Sequence, residues 1–234
     1  MNIVIPFRNT CGTKELDMCI ALAMKNLDFK WEKIYVVGDS YSPSNKKRIV
    51  NVVVEEQKYS KWLDSNFLVK YYIENISDEP FILFNDDFFI TTPVSKIGQY
   101  FSSTIQDRIN KTYVIEGRTN QLRLSMYGLN LKSFLKHYGD WMNFEVHTPM
   151  LIEYPKIMVQ AIEESNVNEC PACKRTLYMY MLNKLGHTKN EDIYSLPYDC
   201  KFREPYTILQ TPFFSLTDEE YKAFEEIFID ILNH

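Results

Sequence analysis

The sequence predicts an α/β fold, a mainly parallel Rossmann-like sheet flanked by helices, with a mainly helical C-terminal half. Two observations carry this. Short β-branched apolar runs alternate with stretches of helical period across roughly the first half, the pattern of strand–helix–strand units and parallel pairing. Beyond residue 117 that alternation gives way to helical periodicity. With 234 residues, 45% of them hydrophobic and 15% aromatic, the chain can bury one large core. It therefore reads as a single domain with an α/β half, residues 1–117, and a helical half, residues 118–234.

Asn2 to Phe7 is strand-like, Arg8 to Thr13 has turn chemistry, and Lys14 to Leu27 has helical period. A second strand, Lys33 to Val37, ends at Gly38-Asp39-Ser40, and a third runs from Ile49 to Val54. A helix from about Ser65 to Glu74 leads into the apolar run Phe81 to Phe84. After Pro93 the pattern predicts a helix to about Gln106, then a strand from Thr112 to Glu116. Helices are expected at Leu131 to His137, Pro155 to Glu164 and Pro171 to Leu185, as a cover over the sheet. Thr217 with Glu220 forms a capping-box pattern before an amphipathic run to Leu232.

A net charge of -5 argues against a broad electrostatic footprint for nucleic acid or anionic membrane. No run approaches the roughly 20 apolar residues of a membrane span, and MNIVIPFRN lacks the pattern of a secretory signal, so a soluble cytoplasmic protein is expected. Five dispersed cysteines read as reduced thiols. Cys170 and Cys173 form a CPAC pair that His187 and Cys200 would complete as a zinc site, against a plain helix-start turn with buried thiols.

The segment FILFNDDFFI carries the chemistry. Asn85, Asp86 and Asp87 interrupt what is otherwise buried strand. Unpaired carboxylates are costly to bury, so metal, hydrogen-bond donors or water must compensate. A magnesium or manganese ion bridging a diphosphate meets that need, and so does a solvated turn between hairpin strands. His147, in EVHTPMLIEY, is a candidate base or phosphate-facing cation, or a structural histidine. Arg8 and Arg175 are candidate phosphate clamps, or solvated helix and loop arginines.

Several segments, in order, resemble the Stealth proteins, a family of sugar-phosphate transferases. Arg8 and Asn9 with Glu15 and Leu16, then Lys33 through Asp39, resemble its first part. Ser65-Asn66-Phe67 and Phe84 through Phe89 with Pro93-Val94 resemble its central block. His147-Thr148-Pro149 resembles the third, and Arg175 ahead of Leu177 through Tyr180 the fourth. The opening IVIPFRN and Met24-Lys25-Asn26 depart from the pattern.

The resemblance implies a GT-A-like fold whose first half binds a nucleotide-sugar donor and whose second half covers the acceptor; among donors a UDP-sugar is favoured, although the departures from the pattern leave the nucleotide open. It further implies that Asp86 and Asp87 organise Mn2+ or Mg2+ and the reacting phosphate. His147 would assist proton transfer, Arg175 and Arg8 would contact phosphate, and Asn9, Asp39, Asn66 and Asn85 would line the donor pocket. Acceptors in view are a glycan hydroxyl or a modified base in viral DNA. Trp141, Tyr178, Tyr180, Tyr198 and Phe202 would stack on an extruded base in the latter case, or simply pack the core. A binding module without turnover is the non-enzymatic alternative.

Overall fold

The computed structural model describes residues 1–10, 12–43, 47–55, 60–116, 121–188, 193–195, 212–216 and 218–234. Its first half runs β1 (Asn2–Phe7), α1 (Lys14–Asn26), β2 (Ile34–Gly38), β3 (Ile49–Val53), α2 (Lys61–Asn75), β4 (Phe81–Leu83), β5 (Phe88–Ile90), β6 (Gln99–Phe101), α3 (Ile105–Asn110) and β7 (Tyr113–Glu116). Then follow β8 (Gln121–Leu124), α4 (Met126–Tyr138), β9 (Met150–Ile152), α5 (Pro155–Val167), a 3-10 turn at Pro171–Cys173, α6 (Lys174–Lys184), β10 (Ile193–Ser195), β11 (Phe213–Ser215) and α7 (Asp218–Asn233).

The main sheet has the order β3-β2-β1-β4-β9. Its first four strands are mutually parallel, and β9 closes the edge antiparallel to β4. The near-continuous apolar strands explain the layering, because a strand covered on both faces needs apolar side chains at successive positions. Ile3, Ile5 and Phe7 of β1 face a core completed by Leu16, Cys19 and Leu22 of α1 and by Phe224 and Phe228 of α7. Val4, between them, faces Leu68 and Tyr72 of α2, Met158 and Ile162 of α5, and Leu177 of α6. The helical half thus divides between the two faces, α4 to α6 beneath one and α7 on the other, instead of forming a single cover.

The expected helix from Pro93 to Gln106 is a correction. Val94 instead bridges to Leu27, its N–H donating to the Asn26 carbonyl at 2.8 Å. β6 follows and pairs with β10. Helix begins only at α3, where the Thr104 hydroxyl accepts the Asp107 N–H at 3.2 Å and caps the first turn. Long-range strand pairing overrides the local period here. The capping-box residue Thr217 lies outside the described residues, although α7 follows where that pattern set it. No described helix is long and apolar enough to cross a membrane.

Candidate functional site

From β1 the chain steps to β2 and β3 on one side, then returns to β4 on the other, so the strand order reverses between β1 and β4. Beyond the carboxyl ends of such strands an open α/β sheet leaves a crevice. Here it is a cleft of about 290 Å³ lined by Arg8, Lys14, Glu15, Asp86, Tyr221 and Lys222 among others. At the end of β2, Gly38 has φ +139° and lies close against the carbonyl of Phe7, itself a lining residue of the cleft. An added Cβ would lie 2.1 Å from that oxygen.

Asn85 to Phe88 forms the turn that leaves β4, with the Phe88 N–H donating to the Asn85 carbonyl at 3.3 Å. The hairpin alternative does not hold, because β4 belongs to the main sheet while β5 pairs antiparallel with β11. The turn passes between two sheets, which leaves Asp86 and Asp87 partly buried. Burial first, and the neighbouring Asp87 charge second, push the Asp86 carboxyl up to about 7, against relief from Lys61.

Asp87 points into a polar cluster. Its Oδ2 accepts the Ser215 hydroxyl at 2.9 Å and stands 3.9 Å from His147 Nδ1. Ser215 Oγ is itself 3.1 Å from that nitrogen. Asp87 Oδ1 is buried and has no hydrogen-bond partner among the described residues. His147 arrives on the loop before β9, with its ring edge-on to Phe88 at 6.1 Å between centroids.

Arg175, on α6, secures that loop. Its Nη1 donates to the carbonyls of Val146 and Thr148, at 3.2 and 2.6 Å, on either side of His147. The guanidinium lies 5.1 Å over the Phe88 ring, and its Nη2 is buried with no hydrogen-bond partner among the described residues. Burial pulls the Arg175 pKa down, opposed by the charges of Glu145 and Asp87. Glu145, half-buried, supplies negative charge to both Arg175 and Lys174, and it accepts the Thr176 N–H at 2.9 Å.

The remaining predicted residues divide. Arg8 lines the cleft and pairs with Asp64 of α2. Asn9 and Asp39 tie two strand-end loops together, the Asn9 N–H donating to Asp39 Oδ2 at 2.8 Å. The Asn85 carbonyl also meets the Cys19 thiol at 3.5 Å. Asn66 is not a pocket wall: it is 0% exposed, and its amide donates to Asn166 Oδ1 at 2.9 Å and the Pro171 carbonyl at 3.1 Å. It joins α2 to the 3-10 turn.

Ser215, Asp64, Glu145, Lys14, Tyr221 and Lys222 escaped sequence reasoning. For Ser215 a signal existed, a lone hydroxyl ending the apolar strand Phe213–Ser215. The others carry no local mark that separates them from ordinary surface or helix residues.

Two hard carboxylates, one with an orphaned buried oxygen, suit Mg2+ or Mn2+, which take oxygen ligands and fill remaining positions with water or substrate phosphate. Among the described residues no group of three or more His, Cys, Asp or Glu side chains is arranged to hold a metal. Cys170 and Cys173 are buried, and burial followed by the hydrogen bond that the Cys173 thiol shares with Cys170 pushes that thiol well up. His187 stacks on Tyr154 at 4.7 Å, and Cys200 lies outside the described residues. Of the aromatic set, Tyr178 is fully buried and Trp141 meets Tyr180 edge to face at 5.7 Å, while Tyr198 and Phe202 lie outside the described residues.

No protein-family model matches the sequence, and a search of the curated proteins finds no match.

Proposed function

We propose that this chain is a metal-assisted, nucleotide-sugar-dependent transferase that moves a sugar or a sugar 1-phosphate to an acceptor hydroxyl. The observation that supports it is the junction of a cleft at the sheet's reversal point with the Asp87–Ser215–His147 cluster, through the adjacent carboxylates Asp86 and Asp87. The Stealth-like order of the motif blocks points to the same donor chemistry.

Asp86 and the buried Oδ1 of Asp87 would hold Mn2+ or Mg2+, which when bound supplies neutralising charge for the donor diphosphate. Arg8, Lys14 and Lys222 give the cleft its cations, against Glu15 and Glu225. In this reading they steer and orient a phosphorylated donor. His147 keeps 27% of its side chain exposed and takes the proton of the acceptor hydroxyl. Arg175 holds the histidine loop and faces Asp87 as a buried positive charge, so it acts chiefly as a positioning residue.

Incubation with UDP-, GDP- and CMP-sugars and Mn2+, with analysis of both the nucleotide released and the acceptor product, tests the reading. Donor-dependent release of nucleotide that ceases on chelation is the expected result. A nucleoside diphosphate marks glycosyl transfer, and phosphorus in the acceptor product marks sugar-phosphate transfer. No turnover and no Mn2+-dependent thermal shift with any donor overturns the proposal.

A further inference from the structure

The three-way contact among Asp87, Ser215 and His147 fixes where protons sit. A serine hydroxyl has one hydrogen and two lone pairs. If that hydrogen goes to Asp87 Oδ2, at 2.9 Å, then His147 Nδ1, at 3.1 Å, meets an oxygen lone pair and must itself carry a hydrogen. The reverse arrangement turns a hydroxyl lone pair toward a carboxylate whose other oxygen already lacks a partner. A charge-assisted bond to the carboxylate is the stronger of the two, and an unsatisfied buried carboxylate is the costlier loss.

We infer that Ser215 is a positioning residue that holds the neutral His147 ring in its Nδ1–H tautomer, so that Nε2 is the nitrogen without a hydrogen. The hydroxyl is well placed for this. Ser215 is 0% exposed and sits in the β11–β5 ladder opposite Phe88, one residue from Asp87, so strand pairing sets its position. Arg175 fixes the histidine backbone independently, through the carbonyls at Val146 and Thr148.

Ser215 is not a nucleophile. In a serine relay the nucleophile and the orienting carboxylate occupy opposite ring nitrogens, whereas here both lie at Nδ1. The role as base rests on the transferase reading. There the acceptor O–H proton passes to Nε2 while the oxygen forms its new bond with the retained electron pair. The bond to the departing nucleotide breaks with its own pair, and the imidazolium is stabilised through Ser215 by Asp87.

The test is 15N NMR of the histidine-labelled protein across a pH series, with the tautomer read where the imidazole is neutral. The spectrum of His147→Asn identifies the His147 signals among the four histidines. The wild type is expected to show a protonated, pyrrole-type Nδ1 and a bare, pyridine-type Nε2. Ser215→Ala is expected to become a mixture of tautomers, and Ser215→Thr, which keeps the hydroxyl, to retain one. With an active donor, Ser215→Ala should lower kcat by about 10–100-fold with KM nearly constant.

A protonated Nε2 in the wild type, or unchanged tautomer populations in Ser215→Ala, overturns the inference. If Ser215→Ala does not fold, the wild-type spectrum alone decides. Because the tautomer is read without turnover, absence of activity with every donor would sink the transferase reading and leave the proton assignment standing.

Discussion

Two hollows on this molecule differ in what their charges meet. The larger, about 570 Å³, lies where α2 ends and α5 begins and is lined by Glu74, Asp78 and Lys156 among others. Its ions stand in water: Lys156 reaches Asp78 at 3.5 Å, with side chains 84% and 57% exposed. The cleft at the reversal point is about half that size, 290 Å³, yet it reaches Asp86, displaced upward by burial and by Asp87. Next to it, the Asp87 Oδ1 has no hydrogen-bond partner among the described residues. Room is common on a protein surface, but half-buried charge left unbalanced costs folding free energy, and such groups concentrate where chemistry is done.

The sharpest way to break that contrast is Asp87→Asn. Loss of about 10³-fold or more in kcat/KM is expected, together with loss of the Mn2+-dependent rise in melting temperature and an unchanged far-UV circular dichroism spectrum. Activity close to wild type would remove the cleft from consideration.

A smaller effect is expected from Asp86→Asn in metal-free protein. The folded-state pKa of Asp86, about 7, lies above its ordinary value of 3.8, so the folded chain holds that proton more tightly than the unfolded one. The associated stability is full below about pH 4 and is lost as pH rises through about 7. The amide carries no such charge, so Asp86→Asn should exceed the wild type by about 1–2 kcal/mol at about pH 8, a difference that shrinks toward about pH 4. Denaturant titrations at the two pH values measure it. Equal stability at both would mean that the Asp86 charge is already compensated.

Lys156→Ala in the larger hollow should change least, by under about 0.5 kcal/mol in stability, because its ion pair is solvent-exposed. Donor turnover should not change. A fall in turnover would reverse the comparison, making the larger hollow part of the working surface.

Much of the sheet was legible. β1 begins and ends as the apolar run Asn2 to Phe7 does, and α5 starts at Pro155, where its ring suits the first helical turn. Legibility failed where distant pairing decides, as at β6, whose partner β10 lies about ninety residues on. Within the site, Asp86 and Asp87 stand out as carboxylates that interrupt an apolar run, whereas His147 and Arg175 are marked in the sequence only by their place in the Stealth-like blocks. Asn66 was misread because its sequence neighbourhood does not reveal that α5 and the 3-10 turn close over it.

Local chemistry therefore determined the strand–helix alternation, the two apolar faces of the strands and the interruption of an apolar run by Asp86 and Asp87. Period and propensity act over a few residues, so the chain itself carries these features. Tertiary structure alone decided that the carboxylates lie in a turn between two sheets, that Arg175 grips the loop of His147 twenty-seven to twenty-nine residues before it, and that Ser215 completes the cluster from 128 positions beyond Asp87. Those contacts depend on how β5, β11 and α6 pack, and no local pattern encodes which distant hydroxyl a buried carboxylate will meet.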